Sequence, residues 1–236
     1  MVRLLRAPVL TMTAEDVCFL HWPVDPDDLR PRLPTPLDLS LFEGRAWLSV
    51  VAFRATGLRP RGVPERFGRS FSELRLQTYV WHRGTPGRYL FSVDAGDRLV
   101  SHLFRLTSRI PYVAADGKIE RDGEQVHLRS RRDQIGVPPA AFEATVSVDD
   151  DAGSVLNGRD RDDWFLGHHR VFGAAGGTLW ALDVDRETPS LRPATATVRT
   201  NTLFGAAGVP SPATEPVVRS FRTWPMHASL PWLVRR

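Results

Sequence analysis

The chain has 236 residues, 42% of them apolar and 25% charged, with a formal net charge of +4. That apolar share supports a sizeable core and excludes a disordered chain. No run approaches the roughly 20 apolar residues of a membrane span; the basic start has no signal-peptide pattern, and the single cysteine, Cys18, excludes an internal disulfide framework and a multi-thiolate zinc site.

These features predict a soluble, cytoplasmic protein folded as one domain over residues 1–236, with no membrane partner. Nearly all the basic charge is arginine, and Lys118 is the only lysine. The cluster Arg129, Arg131, Arg132 alternates with Ser130 and reads as a solvated strand end. No nucleic-acid partner is expected.

In chain order, Asp25, Pro26, Asp27 and Asp28 signal a helix start, and Pro31 and Pro34 stop it after about one turn. Residues 45–53 read as a strand. Residues 73–81 alternate, with Leu74, Leu76, Thr78 and Val80 on one face and Glu73, Arg75, Gln77, Tyr79 and Trp81 on the other. Residues 84–87 form a turn into a strand at 88–93. Leu99, Val100, Leu103, Phe104 and Leu106 then fall at helical spacing, with Asp94 or Asp97 as cap and Pro111 as stop. Asp122-Gly123 joins two strands, which suits a type I′ hairpin. Further strands are expected at 142–148, 164–172, 178–185, 194–200 and 217–222. The fold class is α+β, mainly antiparallel β, with few helices.

The histidine pair His168-His169 suggests a metal, but neighbours on a strand point to opposite faces, and no other histidine has ligand spacing. No metal is expected. Asp149-Asp150-Asp151 lacks the closing glutamate of a calcium loop and reads as a solvated turn. Residues 173–177 read as a hairpin turn, not a phosphate cradle, and no nucleophile elbow is present. Glu73 has two readings: a partly desolvated acid–base group on the inner face of a curved sheet, or a surface pair with Arg75.

Several runs carry a resemblance: Phe19-Leu20-His21-Trp22-Pro23-Val24, Phe42-Glu43-Gly44-Arg45-Ala46-Trp47-Leu48, Phe71-Ser72-Glu73-Leu74, Thr78-Tyr79-Val80 and Pro86-Gly87-Arg88-Tyr89-Leu90-Phe91. The chain resembles the YqjF-like, or DUF2071, proteins of the acetoacetate decarboxylase-like superfamily. The resemblance implies a cone-shaped antiparallel β-barrel with a flanking sheet around a closed cavity. In the decarboxylase, paired lysines after a helix and a proline form a Schiff base with the substrate ketone, the second cation lowering the first amine's pKa. Here Tyr112 and Val113 follow Pro111, so a Schiff base at that position is not expected. Glu73 matches the decarboxylase's active-site glutamate. Glu15 stands where that enzyme has an arginine. Leu166-Gly167-His168-His169 departs from the Thr-Glu-Arg-Tyr run of the nearer group.

The resulting expectation is a small-molecule-binding protein or non-Schiff-base enzyme acting on a polar, carbonyl-bearing compound, with no cofactor. Glu73 would be the acid or base, and Tyr112 would donate to a carbonyl or enolate oxygen. Arg75, Arg109, His168 and His169 are candidate substrate contacts. A non-catalytic binding or sensory domain, and a structural protein with a filled interior, are the alternatives. Exposed strand edges in such a fold leave room for a homo-oligomer.

Overall fold

The computed structural model describes residues 6–149, 159–186 and 190–234. The strands are β1 (Pro8–Val24), β2 (Asp38–Leu39), β3 (Ala46–Pro60), β4 (Arg69–His82), β5 (Thr85–Ala95), β6 (Tyr112–Ala114), β7 (Asp116–Asp122), β8 (Gln125–Arg132), β9 (Ala140–Val148), β10 (Arg170–Ala175), β11 (Thr178–Asp185), β12 (Arg192–Asn201), β13 (Val217–Ser229) and β14 (Trp232–Leu233). The α-helices are α1 (Pro26–Leu29), α2 (Arg98–Ser108), α3 (Arg159–Leu166) and α4 (Leu203–Ala207).

All these strands belong to one mixed sheet in the order β14-β11-β10-β5-β4-β3-β1-β13-β12-β9-β8-β7, with β2 on β4 and β6 on β5. Only β5–β10 and β5–β6 pair in parallel. A further pairing of β11 with β13, through Val184 with Ala228 and Asp185 with His227, closes seven of the strands into a ring. The remaining strands β12, β9, β8 and β7 extend from β13 as a flanking sheet. Two ion pairs fasten that sheet to the ring, Arg121 to Asp16 at 2.6 Å and Arg132 to Asp94.

Strands β1, β3 and β4 are buried on both faces. One face sends Leu20, Leu48, Val50, Leu74 and Leu76 against Val126, Leu128, Phe142 and Val146 of the flanking sheet. The other sends Val17, Phe19, Val51 and Phe53 toward Phe221, Trp224, Leu182 and Val184. Strand β8, by contrast, alternates strictly between exposed and buried residues, because only one of its faces meets the core.

Local chemistry accounts for most boundaries. The Asp25 carboxylate accepts the Asp27 N–H at 3.0 Å and caps α1. At α2 the Asp97 carboxylate accepts the Leu99 and Val100 N–H groups at 2.9 and 3.0 Å. Val100 is buried, whereas Leu99, Leu103 and Leu106 face outward, so the helical stripe is wider than its packed side.

Three expectations are corrected. Residues 164–172 are not one strand: α3 ends at Leu166, and β10 begins at Arg170, so His168 and His169 lie between elements. Asp160 and Asp162 in the first turn favour this helix through its dipole, and the helix buries Asp162 and Phe165 at i, i+3. The Asp122-Gly123 pair is not a type I′ turn. Asp122 pairs with Gln125, leaving Gly123 and Glu124 as the turn, and of the two only Gly123 has positive φ, the Gly-first pattern of type II′. Arg132 is not solvated, since it is buried against Asp94. Of the acidic run Asp149-Asp150-Asp151, Asp150 and Asp151 lie outside the described residues.

Candidate functional site

Strand β4 carries the site because its alternation is real and its second face is not wet. Glu73, Arg75, Gln77 and Tyr79 share one face and are all buried. Phe53 of β3 and Ala95 of β5 flank Glu73 in register, while Val51 and Val93 flank Arg75. The Glu73–Arg75 end of the strip is therefore polar and walled by apolar residues, while Ser49 and Arg88 flank its Gln77–Tyr79 end.

At one end of this strip lies a partly open cavity of about 60 Å³. Glu73, Arg75 and Tyr112 form its polar part. The other lining residues are apolar apart from Thr11, and include Leu58, Phe71, Leu90, Leu182 and Met226. Tyr112 reaches the cavity because α2 ends at Arg109, in the left-handed region at φ 56°, and β6 then pairs Tyr112 with Val93. The ring of Phe104, on α2, packs against it at 5.1 Å between centroids.

The three polar groups interact directly. The Arg75 Nε donates to Glu73 Oε1 in a buried ion pair. The Arg75 guanidinium also lies over the Phe53 ring at 4.8 Å. Burial works against its charge, but the neighbouring Glu73 carboxylate holds it above its ordinary pKa. Burial, together with the Glu73 charge, pushes the Tyr112 phenol well above its usual value. Tyr112 is thus a neutral hydrogen-bond donor beside a carboxylate.

Tyr112 has a second outlook. It also lines an outer groove of about 860 Å³, shared with Arg98, His102, Arg105, Arg129 and Arg131. The small cavity and the cationic groove meet at this one side chain.

The other candidates fall elsewhere. Arg109 is exposed and does not line the cavity, because its backbone serves as the end of α2. His168 and His169 do not line it either. His168 is buried, its Nδ1–H donating to the Trp164 carbonyl at 2.6 Å and its Nε2 accepting from Ser40 at 3.1 Å. Burial, and the charges of Arg88 and Arg186, lower its pKa to about 3. Glu15 is on the surface with Arg54 at 2.6 Å. Lys118 is exposed on β7 and pairs with Glu120 at 2.8 Å. Among the described residues no lysine lines the cavity.

The sequence pattern of the DUF2071 family, described as an uncharacterized conserved protein, matches residues 11–223. The chain belongs to this family. A DUF2071-type relative, the uncharacterized protein YqjF of Bacillus subtilis (strain 168), is 34% identical over 211 residues, which is 89% of this chain and 86% of that one. Solved structures share the fold of this DUF2071 chain at 14% identity. Acetoacetate decarboxylase from Legionella pneumophila aligns with a TM-score of 0.71 over 100% of this chain and 92% of its own. An acetoacetate decarboxylase-like enzyme from Sphingomonas wittichii RW1 gives 0.65 over 97% and 94%. The enduracididine biosynthesis enzyme MppR complexed with pyruvate gives 0.68 over 96% and 91%.

Sequence reasoning missed Arg88 and Arg186 as interior groups. Arg88 was within reach, because it stands opposite Tyr79 across the β4–β5 hairpin and so shares its face. Arg186 follows β11, far along the chain, and no local pattern marks it.

Proposed function

We propose that this protein is a small-molecule enzyme of non-Schiff-base type, acting on a compact carbonyl compound with one polar end. The observation that carries this reading is the convergence of Glu73, Arg75 and Tyr112 on one otherwise mostly apolar cavity. In this reading Glu73 removes a proton from the carbon next to the carbonyl. The electron pair moves onto the carbonyl oxygen, and the neutral Tyr112 phenol hydrogen-bonds the resulting enolate. Arg75 orients Glu73. The apolar lining narrows the expected polar compound to one with an apolar body. A water needs roughly 10–15 Å³ measured in this way, so about 60 Å³ suits a ligand of only a few heavy atoms.

The test is exchange of the α-protons of small ketones and 2-oxo acids in deuterated buffer, followed by NMR. Glu73→Gln should slow exchange by about 10²–10⁴-fold, the range for a positioned base. Tyr112→Phe should slow it less, with the fold intact. Equal exchange in wild type and Glu73→Gln would remove Glu73 from the mechanism.

A second reading is a non-catalytic binding domain. The Glu73–Arg75 pair favours it, because a carboxylate already held by a guanidinium is less free to reach a substrate proton. It predicts a tightly retained small molecule and no exchange catalysis in the wild type.

A further inference from the structure

Buried charges in proteins are paired or bind ions. Among the described residues, five acids are buried: Asp16, Glu73, Asp94, Asp162 and Asp183. Each is taken. Asp16 holds Arg121, Glu73 holds Arg75, Asp94 holds Arg132, Asp162 holds Arg219 and Asp183 holds Arg170. Four arginines are buried: Arg75, Arg88, Arg132 and Arg186. Two of these have carboxylates, and among the described residues Arg88 and Arg186 do not.

Arg88 is 3% exposed, and its Nε and Nη2 have no hydrogen-bond partner among the described residues. Arg186 is 9% exposed. Its Nη2 donates to the Leu166 carbonyl at 2.9 Å, its guanidinium lies over the Trp224 ring at 4.3 Å, and its Nη1 has no partner among the described residues. Both guanidiniums stand within electrostatic range of Tyr79 and of His168. Gln77 is two residues from Tyr79 on the same face. Its amide leans toward the Tyr79 phenol, yet neither of its polar atoms reaches full hydrogen-bond geometry.

Among the described residues no carboxylate pairs with either guanidinium, and the nearest phenol does not supply the missing negative charge. Burial raises the Tyr79 phenol to about 12, so it stays neutral beside the arginines. Burial, with Arg75 as a neighbouring cation, lowers Arg88 to about 9, and Arg186 is lowered further by burial and by Arg88 and Arg75. Guanidiniums nevertheless hold their protons in proteins. Two buried cations in one neighbourhood, with unused donors, present what a planar or tetrahedral oxyanion binds.

We propose that Arg88 and Arg186, with the Gln77 amide, form an interior site for one small oxyanion, a carboxylate or phosphate-type group. The site lies along the strip from the Glu73 cavity, with Arg75 between. The anion has two sources: a free ion, or the acid group of a molecule whose apolar part fills that cavity. Only the second source rests on the function proposed above.

Thermal unfolding and calorimetric titration of the full chain test this. Acetate or phosphate is added at constant ionic strength against sodium chloride. In the wild type the melting temperature should climb with acetate or phosphate beyond the chloride control, as binding to the folded state requires. Arg88→Met, Arg88→Gln and Arg186→Met should each weaken binding by about tenfold or more, the equivalent of one lost charge-assisted hydrogen bond. General salting effects act on every variant alike. An equal response in wild type and variants, or a wild type with no response above chloride, overturns the proposal. The second result needs no variant to fold.

A series from acetate through butyrate to hexanoate separates the sources. If the anion is the acid group of a cavity ligand, each added methylene tightens binding by roughly fourfold until the cavity is full. A flat series supports the site with a free anion and breaks only its link to the cavity.

Discussion

Arg75→Met should unfold more easily than the wild type, by an amount set by the carboxylate it strands. Glu73 is 1% exposed, and among the described residues its only ion-pair partner is Arg75. Removing one member of a buried pair costs about 3–5 kcal/mol. At about 2–4 °C per kcal/mol for a chain of this size, the melting temperature should fall by roughly 6–20 °C. Methionine keeps most of the apolar stem over Phe53, so lost packing adds little. The decisive measurement is a double-mutant cycle by urea denaturation. Glu73→Gln alone leaves Arg75 facing Arg88 and Arg186, whose charges already oppose it. It should therefore also destabilise. The double variant removes both charges and should lose less than the sum of the two singles, by about 0.5–3 kcal/mol of coupling. A deficit below about 1 kcal/mol for Arg75→Met, the range of an exposed pair, or simple additivity in the cycle, would refute the reading of this pair as buried and interdependent.

Two further predictions follow from the same packing. The folded-state pKa of His168, about 3, lies below its ordinary value near 6.5. The unfolded chain therefore binds a proton that the folded chain refuses, and stability should fall as pH drops from about 6.5 toward 3. His21, also lowered by burial, adds a slope of the same sign. His168→Asn should be less acid-sensitive by one proton's worth of slope in urea titrations between pH 7 and 5, and identical slopes would contradict this. Gly87→Ala should destabilise by about 1–3 kcal/mol, the usual cost of overpacking. A Cβ there would stand 2.8 Å from the Arg170 carbonyl and overlap the Phe172 ring, prising β10 from β5. Unchanged thermal stability would show that this parallel pairing yields at no cost.

Much of the sheet was legible because alternation fixes which side chains share a face. The reading of β4 separated Leu74 and Leu76 from Glu73, Arg75 and Gln77, and the structure has that division. Alternation does not say which face is wet. Both faces of β4 are buried, so the polar row that resembled a surface pair is interior. Helix α3 was missed because Trp164-Phe165 looks strand-like. Its helical character lies in an acidic first turn and in Phe165, which stacks on His21 at 3.8 Å between centroids, a contact made across 144 residues of chain. The departure at Gly167-His168 pointed toward the ligand cavity, but His168 is spent on Ser40 and the Trp164 carbonyl. The resemblance placed Glu73 and Tyr112 at one cavity. It gave no sign of Arg88 and Arg186, which stand far apart in the chain and come within electrostatic range only in the folded protein.

The aromatic ring of Tyr112 stands between the small apolar-lined cavity and the arginine-rich outer furrow. Its hydroxyl faces the Glu73 and Arg75 charges. In the proposed reaction, a swing of that ring to admit a solute from the furrow takes the phenol away from the carbonyl oxygen, so admission on that side and enolate binding fall to one side chain at different moments.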